Sequence, residues 1–273
     1  MTLVDAFILP HGSLVLNPSR EDIKKLHNAM LEVASEIKNA EPDLIFLTTP
    51  HGISLNNDFG IYRNVAGSGS AEWEGEYEEF SVSVEFDQEV ASSLLNYFNE
   101  RNVNASGVTC FTTSANAVFR WGEAVPLWFI KNVDAKYVVM SQPTRRYDQA
   151  LSMIPELLEL GKYLGNYLES LKQRVIAIIS ADLAHTHDIN GPYGYSEIAA
   201  EFDQSVEEWA GTLDKKTLFE KTASMLDEAL CCGFVGLVIL QGMLDGRKVN
   251  KKVLARENPT YYGMLVASYL LER

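Results

Sequence analysis

Three short apolar runs, each closed by a histidine-bearing turn, constrain the fold of this chain more than any other feature. Ala6-Phe7-Ile8-Leu9 leads into Pro10-His11-Gly12, and Leu44-Ile45-Phe46-Leu47 leads into Pro50-His51-Gly52. A third run, Val175-Ile176-Ala177-Ile178-Ile179, leads into Ser180-Ala181-Asp182-Leu183-Ala184-His185-Thr186-His187. Runs this short and this uniformly apolar read as strands buried on both faces. The chain has five histidines, and four of them (His11, His51, His185 and His187) fall just past such a strand. In open α/β sheets, ligands bind in the crevice beyond the carboxyl ends of the strands. Four imidazoles gathered there point to a metal, because neutral imidazole is the commonest metal ligand.

A chain of 273 residues is long enough for one large α/β domain, and no repeat, linker or low-complexity stretch divides it, so residues 1–273 read as a single domain. Its net charge of -14 disfavours nucleic acid as a partner. The longest apolar stretch, Phe234 to Leu240, is far shorter than the ~20 residues a bilayer-spanning helix needs, so no membrane partner is expected. Met1-Thr2-Leu3-Val4-Asp5 has no leader pattern. Cys110, Cys231 and Cys232 make an odd count that does not form a disulfide framework. Together these features read as a cytoplasmic protein.

The first 50 residues read as a βαβ unit. Ile23, Leu26, Met30, Val33 and Ile37 recur at helical spacing behind a candidate N-cap at Ser19, and Pro42-Asp43 ends the helix. The crossover rule makes the flanking strands parallel and puts both Pro-His-Gly turns on one sheet edge. Residues 56–87, with Gly67-Ser68-Gly69-Ser70 and an acidic, aromatic stretch from Glu72 to Glu79, read as an excursion over that edge. Further helices are expected over 88–101, 147–173, 196–209, 215–224 and 226–244, with strands near Val108 and over Tyr137–Met140.

His11 and His51 read as paired ligands to one metal, against the plainer reading of two histidines capping neighbouring elements. Glycine after each allows a sharp turn or a close approach. Asp182 stands three residues before His185 and can orient an imidazole and raise its basicity. That makes His185 the candidate general acid/base, and His187 a substrate contact or spare ligand. Asp188 to Tyr195 is a turn-rich lip whose Tyr193 and Tyr195 could face a ligand. His27, inside the first helix beside its apolar face, reads as a satisfied core or interface histidine. For the third metal ligand the chain offers Cys232, then Glu228 one helical turn earlier, then Asp182, with water as the remaining alternative. There is no Gly-x-Gly-x-x-Gly or phosphate-binding Lys-Ser/Thr loop, and no Gly-x-Ser-x-Gly elbow.

Leu9-Pro10-His11-Gly12, Thr49-Pro50-His51-Gly52, Val125-Pro126-Leu127 and Ser180-Ala181-Asp182-Leu183-Ala184-His185, in that order, resemble the class III extradiol ring-cleavage dioxygenase superfamily. That superfamily includes the catalytic subunit of protocatechuate 4,5-dioxygenase and the Memo-like proteins. Pro259-Thr260-Tyr261-Tyr262-Gly263-Met264-Leu265 is similar to the last strand of its archaeal and bacterial members. The resemblance implies one α/β domain, with a central mixed, mostly parallel sheet flanked by helices and a metal cleft at the carboxyl ends of the strands. It implies His11 and His51 as ligands and His185 as acid/base. Where the dioxygenases carry a Glu-Gly pair, this chain has Cys232-Gly233, as Memo-like proteins do. Where they carry Asp-His-Gly, it has Arg120-Trp121-Gly122.

The expected function is a non-haem iron dioxygenase opening a small catechol-like ring with O₂, with Fe(2+) as the first choice of metal and Zn(2+) or copper as others. The alternative is a Memo-like metal-binding protein with a redox or protein-binding role, favoured by the soft thiolate of Cys232; a zinc hydrolase is a third. Apolar helices near the C-terminus leave room for a homodimer.

Overall fold

The computed structural model describes residues 3–272; Met1, Thr2 and Arg273 of the expected domain, and with them part of the amino-terminal stretch read for a leader, lie outside the described residues. The chain opens with β1 (Leu3–Leu9), α1 (Glu21–Ala40), β2 (Leu44–Thr49), β3 (Phe59–Tyr62), β4 (Ala66–Ser70) and β5 (Ser81–Glu85). It continues through α2 (Gln88–Asn99), β6 (Ala105–Val108), β7 (Asn116–Phe119), α3 (Trp121–Phe129), β8 (Lys136–Ser141), α4 (Arg146–Gln149) and α5 (Ile154–Ser170). It closes with β9 (Val175–Ser180), α6 (Ile198–Thr212), α7 (Leu226–Ala229), α8 (Phe234–Leu244), β10 (Val249–Glu257) and β11 (Met264–Leu271).

Eight strands form the main sheet in the order β10-β11-β1-β9-β2-β8-β3-β6. Its centre is parallel, with β9 inserted between β1 and β2 and β8 on the far side of β2. Antiparallel pairing at β11 and β3 makes the sheet mixed. The two Pro-His-Gly strands are therefore parallel in one sheet, as expected, but separated by β9.

Each central strand is buried on both faces, and alternate residues serve opposite layers. Ala6 and Ile8, Leu44 and Phe46, and Ala177 and Ile179 join a core that includes Leu157, Leu164, Phe202, Val206 and Leu237. That layer is built by α2, α5, α6 and α8. Phe7 and Leu9, Ile45 and Leu47, and Ile176 and Ile178 join a second core with Leu26, Met30, Val33 and Ile37 of α1. Val125 and Leu127 of α3, Val82, Val84 and Phe119 complete that layer. Each fully buried side chain of this size contributes roughly 1.5–3 kcal/mol of transfer free energy, so the two layers fix strand register: a one-residue slip would exchange every side chain between them.

The expected excursion over 56–87 contributes β3 to the main sheet. Its remainder, with β7, forms a three-stranded sheet ordered β5-β4-β7 against the second layer. Three local expectations are corrected, and one strand went unread. Ser19 does not cap α1: Arg20 is the N-cap, without a side-chain bond, and Asp22 Oδ1 accepts from the Ile23 N–H instead. The expected 147–173 helix is two, α4 and α5. The expected 226–244 helix is broken after Ala229 because Leu230 takes a left-handed conformation (φ 53°). The polar edge strand β10, carrying Asn250, Lys251 and Lys252, has no apolar alternation to announce it. No helix among the described residues is long and apolar enough to cross a membrane.

Candidate metal centre

The parallel strands β1, β9 and β2 end side by side, and the site is built on their exits. His11 follows β1, and its backbone N–H donates to Asp182 Oδ1 at 3.0 Å, with that of Gly12 donating to the same oxygen at 3.3 Å. The carboxylate just past β9 thus pins the first Pro-His-Gly turn. Ser180, the last residue of β9, donates its hydroxyl to the Gly122 carbonyl at 2.6 Å. A hydroxyl has one proton, so the 2.9 Å contact between His11 Nδ1 and Ser180 Oγ is an N–H donated by the histidine. His11 Nε2 therefore carries a lone pair. It lies 3.4 Å from Cys232 Sγ and 3.3 Å from Asp182 Oδ2. His51, from the β2 exit, packs edge to face on His11 with ring centroids 4.8 Å apart, and Trp121 leans on its other side at 5.4 Å. Strands two apart in a sheet are separated by roughly 10 Å, so the side chains, not the backbones, converge over the end of β9. One ligand atom each from His11, His51 and Cys232 lie within 4.8 Å of one another.

Cys232 reaches this point because the chain leaves helix at Leu230. The Gly233 N–H and Cys231 Sγ both donate to the Asp182 carbonyl, at 3.2 and 3.3 Å. A Cβ at Gly233 would stand 2.6 Å from that oxygen, so only glycine lets the segment seat here. The break also separates Glu228 from Cys232. Glu228 is exposed, and its Oε2 accepts from Ser196 Oγ at 3.2 Å, so the shared helical face expected for these two residues is absent. The two Pro-His-Gly glycines serve packing rather than a left-handed turn: a Cβ at Gly12 would meet the Tyr262 ring at 2.3 Å, and one at Gly52 the Tyr62 hydroxyl at 2.5 Å.

Burial dominates the electrostatics. It holds His11 well below its ordinary pKa, His51 at about 3 and His185 at about 4, so all three are neutral imidazoles near pH 7. Burial raises Asp182 to about 7, against the pull of its two backbone hydrogen bonds, and pushes the Cys232 thiol well up. Neutral imidazole lone pairs, a buried acid and a buried thiol facing one another are a donor set short of positive charge. A divalent cation suits it, stabilising the deprotonated acid and thiol that burial alone disfavours.

A cleft of about 260 Å³ opens on this cluster. Trp73, Tyr77, Trp121, Tyr193, Tyr261 and Tyr262 wall it, with His11, His51, Asp182 and His185 among the polar groups. His185 Nδ1 donates to the Leu183 carbonyl at 2.8 Å, so its Nε2 keeps a lone pair. The 182–187 segment is laced to the residues before β11: Leu183 N–H donates to Gly263 O at 2.7 Å and His187 N–H to Tyr261 O at 3.1 Å.

Of the residues singled out in the sequence, His11, His51, Asp182, His185 and Tyr193 line the cleft, and Cys232 stands against His11. His187 does not line it. Its Nε2 donates to the buried Asp203 carboxylate at 2.8 Å and its Nδ1 accepts from Asn258 at 3.2 Å, which leaves no ring nitrogen for substrate. Tyr195 is exposed and pairs with the His187 backbone outside the cleft. His27 is half-buried and donates from Nδ1 to the Val15 carbonyl at 2.7 Å, a satisfied structural histidine. Sequence reasoning missed Ser180 as the group that sets the His11 tautomer, the cleft walls Trp121, Tyr261 and Tyr262, and Arg146. The adjacent tyrosines ahead of β11 were a visible signal; Arg146 had none.

The fold and this donor cluster define an α/β protein with a candidate metal centre at its strand ends. The chain belongs to the family described as the catalytic LigB subunit of aromatic ring-opening dioxygenase, which it matches over residues 5–271. It is 26% identical, over 94% of its length, to Protein CA_C1420 of Clostridium acetobutylicum, and spans about half of that relative (55%). It is also similar to the crystal structure of uncharacterized protein JW3007 from Escherichia coli K12, with a TM-score of 0.65 at 14% identity, over 97% of this chain and 99% of that one. At that identity the likeness is one of fold.

Proposed function

We propose that this chain is a ferrous-iron, extradiol-type dioxygenase that opens a catechol-like ring. The observation that carries the reading is the junction of three closely set donors, His11, His51 and Cys232, with an aromatic-walled cleft that also receives the free Nε2 of His185. Ferrous iron supplies Lewis acidity toward a phenol and the one-electron chemistry that O₂ requires.

His11 and His51 would hold the metal through neutral imidazoles, with Cys232 as third ligand. Asp182 Oδ1 fixes the main chain at His11 and Gly12, while its Oδ2 stands beside His11 Nε2. His185 Nε2 would take a phenolic proton and return it later in the reaction. Its Nδ1–H, held on the Leu183 carbonyl, keeps that tautomer through both steps. Trp121, Tyr262 and their neighbours pack a flat ring and keep bulk water from it.

One observation favours a second reading. A thiol stands against His11 beside the Asp182 carboxylate, and a thiolate beside activated oxygen invites its own oxidation. A Memo-like redox or binding role would use the same three donors without ring cleavage.

Anaerobic reconstitution with ferrous iron, followed by O₂ uptake over a panel of catechols, tests the two. Uptake with a yellow ring-opened product, lost in His11→Ala and His51→Ala, supports the dioxygenase. Stoichiometric metal without uptake on any catechol supports the second reading, and failure to bind metal overturns both.

A further inference from the structure

A second chamber, of about 450 Å³, lies on the other side of His51, His185 and Tyr193, which line both spaces. Its walls come from α4, from residues 226–232 and from the start of α8, and Cys232 lies in them. Among the described residues Arg146 is the one Lys or Arg that lines it, and it is 6% exposed. The guanidinium is held entirely by uncharged groups. Nη1 donates to the Pro143 carbonyl at 2.9 Å and the Gln142 carbonyl at 3.4 Å. Nη2 donates to the Pro50 carbonyl and to the Tyr147 hydroxyl. The Tyr147 ring lies under the guanidinium carbon at 4.2 Å. Nε is buried and has no hydrogen-bond partner among the described residues.

Among the described residues, no carboxylate pairs with this cation. Asp148 and Asp227 line the same chamber, but both are exposed and neither makes an ion pair with it. Buried arginines are ordinarily paired, because an uncompensated buried charge is costly. Three backbone carbonyls and a π face partly compensate Arg146. With the Tyr147 hydroxyl they spend all four Nη hydrogens and hold the guanidinium rigid, so what is left for an anion is its unneutralised charge and the single Nε–H.

We propose that this chamber is a carboxylate-binding subsite anchored by Arg146, and that it takes a small organic acid whose other end reaches His51 and His185. That this acid is the substrate rests on the proposed function; the anion site itself does not. A guanidinium that served only to bias the Cys232 thiol would leave the chamber indifferent to anions.

The test is calorimetric titration of the full chain, stripped of metal by chelation, with benzoate, with its neutral isostere benzamide and with inorganic phosphate. Benzoate should bind saturably, and benzamide more weakly by roughly tenfold or more. Arg146→Gln should lose benzoate binding by a similar factor, with Arg146→Lys between the two. Because Arg146 also ties down the Pro50 and Pro143 carbonyls, a second variant, Gln149→Glu, puts a negative charge in the chamber from an exposed position. It should weaken benzoate several-fold and leave benzamide unchanged. Equal binding of benzoate and benzamide, or full benzoate binding in folded Arg146→Gln, overturns the proposal. Phosphate binding tighter than benzoate overturns the assignment to an organic acid. Benzoate binding in metal-free protein is read without turnover, so a chain that binds benzoate yet opens no catechol would sink the proposed function and leave this site standing.

Discussion

His11 Nδ1 and Ser180 Oγ lie 2.9 Å apart, and because Ser180 spends its only proton on the Gly122 carbonyl, the histidine has to donate. A residue at the end of β9 thereby decides which nitrogen of a residue beyond β1 can ligate. Ser180→Ala should leave the fold intact and weaken metal affinity by about 10–100-fold, as loss of an outer partner to a ligating histidine does. Competition with a chelating dye on wild type and variant measures it; unchanged affinity would remove Ser180 from this role.

His185 is the group offered as acid/base. His185→Gln should retain full metal stoichiometry by elemental analysis while the rate of ring opening falls by about 10²–10⁴-fold. A variant that loses its metal along with activity would instead make His185 a ligand.

The buried ionisable groups set opposite pH trends in metal-free protein. His185 is held at about 4 against an ordinary 6.5, so the folded chain binds fewer protons than the unfolded one between those values. Its contribution, complete above pH 6.5, is lost as pH falls toward 4. Relative to His185→Gln, wild type should lose on the order of 3 kcal/mol across that window in urea titrations. Asp182 is raised to about 7, so its folded state binds more protons and stability falls as pH rises from about 4 to 7. Asp182→Asn should therefore be more stable than wild type at pH 8, with the advantage gone by pH 4. An advantage that grew with acid would reverse the sign argued here.

Gly52 stands where a side chain has no room. A Cβ would lie 2.5 Å from the Tyr62 hydroxyl, 2.8 Å from Glu123 Oε1 and 3.0 Å from Ser141 Cβ. Tyr62 also donates to Glu123 at 2.8 Å, so the added methyl strikes a buried, hydrogen-bonded pair. Gly52→Ala should cost about 1–3 kcal/mol in denaturant unfolding, and by displacing the neighbouring His51 should weaken metal binding too. A variant as stable as wild type would mean that the pair yields without cost.

The central strands and the two Pro-His-Gly turns were legible because a strand buried on both faces leaves a continuous apolar run and a ligand turn must follow it. The candidate acid/base and the thiol were legible by residue type. The break at Leu230 was not: a leucine in a left-handed conformation has no sequence signature, and without that break Cys232 and Glu228 look like helical neighbours. The His187–Asp203 pair, the Ser180 relay and the bare Arg146 cation depend on residues far apart in the chain, which no local pattern encodes. β10 escaped because an edge strand facing water has little reason to alternate.

The insertion of β9 between β1 and β2 has a consequence for synthesis. Both Pro-His-Gly turns emerge within the first 52 residues, yet the strand that spaces them, with the serine and aspartate that orient His11, ends only at Ser180, and Cys232 comes later still. A nascent chain carrying both histidines lacks the geometry to trap an ion. If the centre takes a metal as proposed, its third donor would arrive only with Cys232, in the last third of the polypeptide, so capture would be a late event of synthesis.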